Sequence, residues 1–205
     1  MKMKKISEGA ESYIYSGKFL GIEGILKRRI VKKYRLKEID EGLRSQRTRS
    51  EARILCLASE LGISSPRVFL VDKYDIYMTR IDGIMLSDLL DSGEKRKMNG
   101  LFETIGSYCA LLHNSNIAHG DYTPANIMVK GNAAYVIDFG LSEITNSIEQ
   151  KALDLLLMKR SITAKQNALF ISSYKKACKE DKHILQRLNE IEKRGRYNTR
   201  TLAAL

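Results

Sequence analysis

The sequence predicts an α+β fold of two lobes, a small strand-rich N-lobe with one helix and a reduced, mostly helical C-lobe. In the first eighty residues, short apolar segments are broken by glycine-containing turns, whereas from Ile148 onward the apolar residues recur at helical spacing. With 205 residues, the chain is long enough for one substantial core or two small lobes. We expect the N-lobe at residues 1–82, the C-lobe at 83–194 and a basic tail at 195–205.

The N-lobe is predicted to contain three strands, then a helix, then two more strands. The turn "LGIEG" indicates a hairpin between the second and third strands. In the helix, apolar residues recur at helical spacing and Gly62 provides a stop signal. These apolar residues are Ile54, Leu57, Ala58 and Leu61. The runs "RVFLVD" and "DIYMTRID" are typical of strands.

The C-lobe is expected to follow a connection at residues 79–83. Its first long helix is "LFETIGSYCALLHNSNI", with apolar residues on one face. Two short strands flank the Gly131–Asn132 dipeptide, which suits a tight hairpin, and three further helices follow. A cleft between two lobes is a common place for a ligand, so we expect the functional site there.

The composition and the N-terminal residues indicate the cellular compartment in which we expect the protein. No apolar run approaches the roughly 20 residues that span a bilayer. The basic N-terminus has no apolar segment after it, so we expect no signal peptide, no membrane association and a cytoplasmic protein. Cys56, Cys109 and Cys178 lie in apolar, helix-like stretches without metal-ligand spacing, which predicts buried free thiols in a reducing cytosol.

The charge favours polyanionic partners. Thirty-five basic residues against 24 acidic ones give a net charge of +11. Nucleotides, RNA and acidic proteins all suit this balance, and charge alone does not choose among them.

The segment "HGDYTPANIMVKGNAAYVIDFG", residues 119–140, carries the chemistry. Asp138 comes directly after an apolar run, at the expected end of a strand, and Gly140 lets the chain turn away. Asn126 opens the preceding strand, five residues after Asp121. Oxygen-bearing side chains are the ligands that Mg²⁺ prefers, so we predict that Asn126 and Asp138 bind Mg²⁺. We predict that Asp121 accepts a proton from a hydroxyl or a water molecule. The alternative is ordinary turn and strand-start residues.

The order His-Gly-Asp, four residues, Asn, then Asp-Phe-Gly resembles the catalytic core of the protein-kinase superfamily. Gly120 stands where ordinary kinases carry Arg, which is typical of atypical kinases and small-molecule phosphotransferases. The resemblance implies a two-lobed protein-kinase-like fold with a single kinase domain, and ATP and Mg²⁺ as cofactors.

This resemblance also implies a nucleotide site in the N-lobe. Lys27, on the third strand, resembles the lysine that contacts the phosphates, and Glu51, on the helix, would pair with it. The alternatives are a solvated lysine and an exposed salt bridge. A segment with one glycine instead of three occupies the place of the glycine-rich loop, and a strand-to-strand turn explains it equally well. This segment comprises Ser7, Glu8, Gly9, Ala10, Glu11 and Ser12.

The connection between the lobes would hold the adenine. Met78 would lie behind the base, and Thr79 and Ile81 would offer backbone hydrogen bonds. A core methionine is the alternative for Met78.

Taken together, the motifs resemble the small atypical kinase subunits of the KEOPS (EKC) complex, which are relatives of the RIO kinases. The resemblance runs from residue 8 to residue 200. Ordinary protein kinases have a long activation segment that ends in Ala-Pro-Glu, and no such segment follows "IDFGLS" here. The segments that carry it are "EGAES", "ILKRR", "RTRSEARIL", "GISSPRVFLVD", "HGDYTPAN", "IDFGLS" and "KRGRYNTR".

Membership of this family implies an atypical serine/threonine kinase and ATPase that supports threonylcarbamoyladenosine formation next to the anticodon of tRNA. The implied partners are the threonylcarbamoyl-transferase subunit, a small regulatory subunit and tRNA. Two alternatives stay open: a nucleotide-binding scaffold without turnover, and a stand-alone RIO-like protein kinase. The basic tail, with Arg194, Arg196, Tyr197 and Arg200, would contact tRNA or a partner, or be a solvated end.

Overall fold

The structure is a computed structural model that describes residues 3–19, 21–93 and 98–202, with side chains up to Arg194 in the last helix. The chain forms two compact units, one of residues 1–84 and 128–142 and the other of residues 85–127 and 143–205. The first unit carries an antiparallel sheet and the second carries most of the helices. This arrangement is the predicted α+β class.

The sheet of the first unit has five strands in the order β1-β2-β3-β5-β4, and every neighbouring pair is antiparallel. The predicted hairpin joins the second and third strands, and Gly21 in its turn has a φ of +83°, which glycine adopts without a steric cost. The elements are β1 (Lys4–Glu8), β2 (Ser12–Phe19), β3 (Ile22–Arg29), α1 (Lys37–Glu60), β4 (Val68–Val71) and β5 (Asp75–Thr79).

Helix α1 buries one apolar face, which includes Ile54, Leu55 and Ala58. Cys56 lies on another face of the same helix and is exposed, so the expectation of three buried thiols is wrong for this residue. Cys56 is two positions from both Ile54 and Ala58, and two positions correspond to about 200° around a helix, so its side chain points away from their buried face. Cys109 and Cys178 are buried, and all three thiols are free.

A second sheet contains β6 (Ile84–Met85), β8 (Ile127–Lys130) and β9 (Ala133–Val136). The predicted hairpin at Gly131 joins β8 and β9, with φ +60° at the glycine. The sequence assigned this hairpin to the C-lobe, whereas residues 128–142 belong to the first unit. One reason is a long-range hydrogen bond in which the Val136 amide donates to the Ser64 carbonyl at 2.9 Å.

The second unit contains α2 (Leu86–Asp91), α3 (Asn99–Asn114), β7 (Ile117–Ala118), β10 (Glu143–Ile144), α4 (Ile148–Ser161), α5 (Ala164–Ala177) and α6 (Asp181–Leu202). Helices α3 and α5 are in close contact at Gly106, where a Cβ would stand 2.3 Å from the Phe170 carbonyl oxygen. Thr163 and Gln166 form a capping box at the start of α5, in which the side chain of each accepts a hydrogen bond from the backbone amide of the other.

Helix α6 continues through residue 202, so the backbone is helical across the point where the sequence predicts a separate tail. Arg194 is exposed. The side chains of Arg196, Tyr197 and Arg200 lie outside the described residues. In the part of the chain that the structure describes, none of the helices has the length and apolar composition needed to span a bilayer.

Candidate active-site residues

Three of the predicted site residues meet in the first unit. The Lys27 ammonium lies 2.6 Å from Glu51 Oε1 and 2.7 Å from Asp138 Oδ1. Strand alternation turns Lys27 toward α1, where Glu51 is located. Lys27 is 6% exposed and Glu51 is 2% exposed, so neither is the solvated side chain of the alternative interpretation.

The surroundings of Lys27 keep it cationic. Burial alone would lower its pKa, but the Glu51 and Asp138 carboxylates outweigh burial and raise the pKa above the ordinary value of 10.5. A buried ammonium between two carboxylates is a fixed positive charge that can be shared with an anionic ligand.

Asp138 presents a carboxylate in an unusual backbone conformation. Its φ is +56°, in the left-handed region that residues other than glycine rarely adopt, and its side chain is 51% exposed. The Gly140 amide donates to Asp138 Oδ1 at 3.1 Å. A Cβ at Gly140 would stand 2.9 Å from that same oxygen, so glycine is required for the carboxylate to lie here.

The second unit brings Asp121 and Asn126 together. Asn126 Nδ2 donates to Asp121 Oδ2 at 2.8 Å and to the Asp121 carbonyl at 2.9 Å. Both bonds are donated by the amide nitrogen, whereas the oxygen is the atom through which an amide side chain can bind a metal. Gly120 has a φ of +80°, which accounts for glycine at this position of the loop.

Asp154 on α4 is a residue that the sequence interpretation missed. It is fully buried, and its two oxygens accept hydrogen bonds from the backbone amides of His119 at 2.7 Å and Gly120 at 2.8 Å. Asp154 therefore fixes the backbone that carries Asp121. The sequence feature that could have identified Asp154 is its place as a single aspartate within the apolar run "ALDLLLMKR", because carboxylates are rarely buried unless they are paired.

His113 extends this buried polar group. Its Nε2 lies 3.2 Å from Asp154 Oδ2, and its Nδ1 lies 2.8 Å from the Tyr174 hydroxyl. The three side chains connect α3, α4 and α5 and leave the buried Asp154 carboxylate well satisfied.

The segment in the place of the glycine-rich loop is a turn between β1 and β2. The Gly9 amide donates to the Ser12 carbonyl at 2.9 Å, and Ser7 and Glu8 belong to β1. Ala10 is exposed, and its carbonyl accepts from the Lys32 ammonium. Glu11 is paired with arginines from two other elements.

The residues expected around the adenine belong to the first unit. Met78 is 7% exposed and lies in the core. The Thr79 amide donates to the Arg67 carbonyl at 2.9 Å, so this N–H already has a backbone partner. Ile81 is half-buried and lies outside the strands.

The predicted metal ligands are oxygen donors, which is the ligand type that Mg²⁺ prefers. Among the described residues there is no group of three or more His, Cys, Asp or Glu side chains that could hold a metal ion. Mg²⁺ needs no such group, because it usually takes only one or two carboxylates from the protein and completes its shell with water and phosphate oxygens. Asp138 in the first unit has a carboxylate of this kind, and Asn126 in the second unit has an amide oxygen of this kind.

Known proteins resemble the chain along nearly its whole length. Residues 26–182 match the RIO domain family. The protein named KEOPS complex subunit Bud32 in Pyrococcus abyssi is 38% identical, over 97% of this chain and 98% of that protein. A probable bifunctional tRNA threonylcarbamoyladenosine biosynthesis protein of Methanosphaera stadtmanae is 35% identical over 93% of this chain, which spans only 36% of that longer protein.

Solved structures confirm the predicted fold class. The Rio2 kinase of Chaetomium thermophilum, solved as an ADP/Mg²⁺-phosphoaspartate complex, superposes with a TM-score of 0.67 over 96% of this chain and 70% of the kinase. The sequence identity is 14%, so this likeness concerns the fold alone.

Proposed function

The chain belongs to the RIO domain family, among relatives of the Bud32 subunit of KEOPS, and on this premise we propose that it is an atypical serine/threonine kinase with ATPase activity that uses ATP and Mg²⁺. The observation that carries the proposal is the buried Lys27–Glu51–Asp138 cluster, with its cation held between two carboxylates. Such an arrangement suits phosphoryl transfer, in which catalysis consists mainly of positioning and charge stabilisation.

Each residue has a distinct proposed role. Lys27 binds phosphate oxygens, and Glu51 holds its ammonium in place. Asp138 and Asn126 hold Mg²⁺, which neutralises phosphate charge when bound. Asp121 orients the attacking hydroxyl or water and accepts its proton, and its contact with Asn126 keeps the carboxylate in one orientation.

The remaining predicted positions keep their proposed roles. The turn between β1 and β2 would cover the phosphates, and Met78, Thr79 and Ile81 would line the adenine position. The end of α6, from Arg194 onward, would contact tRNA or a partner.

We propose that the protein works in the cytoplasm as a KEOPS subunit and supports threonylcarbamoyladenosine modification of tRNA. Its partners would be the threonylcarbamoyl-transferase subunit, a small regulatory subunit and, within the complex, tRNA. Two relatives support this proposal: the P. abyssi protein, which is named as a KEOPS subunit, matches over 98% of its length, and the M. stadtmanae protein is named for this modification.

The direct test is ATP hydrolysis by the Asp138→Ala variant, with the thermal melting temperature as a measure of folding. We expect turnover to fall at least about 100-fold, because the variant loses a metal ligand and a partner of Lys27. Asp72→Ala is the matched control: Asp72 is an exposed aspartate of the same unit. Unchanged turnover in folded Asp138→Ala would refute the assignment.

The main competing function is a nucleotide-binding scaffold without physiological turnover, which the single-glycine turn at Gly9 favours. Asp121→Asn separates the two, since this change removes the proton acceptor and keeps the shape. In a reconstituted tRNA modification assay with the transferase partner, the kinase proposal predicts loss of multiple-turnover modification. Wild-type rates with Asp121→Asn would favour the scaffold.

A further inference from the structure

We propose that Arg29 is a positioning residue, which fixes the Lys27–Glu51 pair and connects it to the turn between β1 and β2. This inference rests on the proposed function, because it assigns Arg29 to the same ATP-binding machinery. Nothing in the sequence motifs singles out this arginine from its neighbours in the run "KRRIVKK".

The two oxygens of Glu51 are divided between two cations. Oε1 accepts from Lys27 Nζ at 2.6 Å, and Oε2 accepts from Arg29 Nη2 at 2.5 Å. Lys27 and Arg29 are two residues apart on β3, so both side chains face α1, which carries Glu51. A carboxylate held at both oxygens is prevented from rotating, and the Lys27 ammonium is fixed with it.

Arg29 also reaches the turn between β1 and β2. Its Nη1 lies 3.5 Å from Glu11 Oε2, and Arg47 of α1 donates to that same oxygen. The hydrogen bond from Arg47 is the main cause that lowers the pKa of the Glu11 carboxyl, so this side chain is anionic at neutral pH. The Ile30 amide, next to Arg29, donates to the Glu11 carbonyl at 3.0 Å. A continuous series of ion pairs therefore runs from Lys27 through Glu51 and Arg29 to Glu11.

In this turn, ion pairs stand where an ordinary kinase loop has several glycines. An ordinary glycine-rich loop contacts phosphates through its backbone, whereas this turn has one glycine and is held by Glu11. Because Glu11 and Glu51 share Arg29, one guanidinium connects the turn to the Lys27–Glu51 pair.

A role in stability alone explains Arg29 poorly. Its side chain is 4% exposed, and within the described residues its Nε has no hydrogen-bond partner. Buried ion pairs are often no more stabilising than apolar residues of similar size, because desolvation offsets the attraction. Orientation of Glu51 is something that an apolar residue would not provide.

The test compares affinities for MgATP and for adenosine, which lacks phosphates. For Arg29→Gln we expect the Kd for MgATP to rise about tenfold or more, and the Kd for adenosine to stay at the wild-type value. Arg29→Lys, which keeps a cation near Glu51, should recover part of the loss. Arg28→Gln is the matched control, because Arg28 points to the other side of β3, pairs with Asp75 and should leave both affinities unchanged.

Glu11→Gln examines the other end of the series with little risk to folding, because the Glu11 side chain is 43% exposed. We expect weaker MgATP binding with unchanged adenosine binding, and a combined effect with Arg29→Gln smaller than the product of the two single effects. If Arg29→Gln does not fold, Arg29→Lys and Glu11→Gln make the same comparison.

Three results would overturn the inference and leave the proposed function intact: wild-type MgATP affinity in folded Arg29→Gln, parallel loss of adenosine binding, or independent effects of Arg29 and Glu11. A wild-type protein that binds neither MgATP nor adenosine would instead contradict the proposed function, and the inference with it.

Discussion

At the scale of single residues, the proposed function depends on the positions of a few polar atoms. Lys27 is kept charged by two carboxylates, and Asp138 is kept in a left-handed backbone conformation. Such a conformation costs about 1–3 kcal/mol and persists only where the surroundings enforce it, which is common at functional sites. Here the surroundings include the Gly140 amide and the Lys27 ammonium.

Replacing Gly140 by Ala should impair ATP hydrolysis more than stability. The new Cβ would stand 2.9 Å from Asp138 Oδ1 and 3.4 Å from Lys27 Nζ, so the carboxylate must move. A displacement of about 1 Å in a catalytic group can cost about 100-fold in rate, and we expect steady-state turnover to fall by about 10- to 100-fold.

The control for this variant is Gly42→Ala on α1, where a Cβ would have no atom within 4 Å. We expect it to raise the free energy of unfolding by up to about 1 kcal/mol and to leave turnover unchanged. Wild-type turnover in Gly140→Ala would mean that the Asp138 carboxylate does not need its observed position.

Sequence patterns identified the residues that carry the motif but not those that support it. Asp121, Asn126 and Asp138 were recognisable from spacing. Arg29 and Asp154 were not recognisable, because their roles depend on partners that are distant in the sequence. Arg29 lies in a basic run and contacts Glu51, whereas Asp154 lies in a helix and accepts from the backbone amides of His119 and Gly120.

At the scale of elements, most strands and helices follow from local patterns. Glycine turns at Gly21 and Gly131 set the two hairpins, and apolar spacing predicted α1 and α3. The two-residue strands β6, β7 and β10 were not predicted, since segments of this length carry no periodicity. The burial of Cys56 was predicted wrongly because composition does not give the angle of one residue around a helix.

Helix packing in the second unit predicts a stability effect at Gly106. A Cβ there would stand 2.3 Å from the Phe170 carbonyl oxygen, and a backbone atom cannot move aside as a flexible side chain can. We expect Gly106→Ala to lower the free energy of unfolding by about 1–3 kcal/mol, measured by urea denaturation with an unchanged m-value.

Gly100→Ala, on the same helix, is the control, because a Cβ at Gly100 would have no atom within 4 Å. We expect no loss of stability from this change. Wild-type stability in Gly106→Ala would show that α3 and α5 tolerate a wider separation.

At the scale of the whole molecule, the sequence predicted the α+β class, and relatives and solved structures agree with it. It was harder to predict which residues belong to each unit, because residues 128–142 are separated from the rest of the first unit by more than forty residues of sequence. Long-range contacts such as Val136 with Ser64 decide this grouping, and no local pattern reveals them.

The net charge of +11 also acts at this scale. Such a surplus attracts nucleotide and RNA phosphates over distances of about a Debye length, and it suits a protein that uses ATP within a tRNA-modifying assembly. Charge alone gives no specificity, and we propose that the clusters around Lys27 and Asp121 provide it.

The most direct test of the central claim is calorimetric titration of ATP, with and without Mg²⁺, into the wild-type protein and the Asp138→Ala variant. If Asp138 is a metal ligand and Lys27 binds phosphate, Mg²⁺ should strengthen ATP binding to the wild type by about tenfold or more, and most of this gain should disappear in the variant. An equal Mg²⁺ effect in both proteins, or no ATP binding by the wild type, would contradict the account.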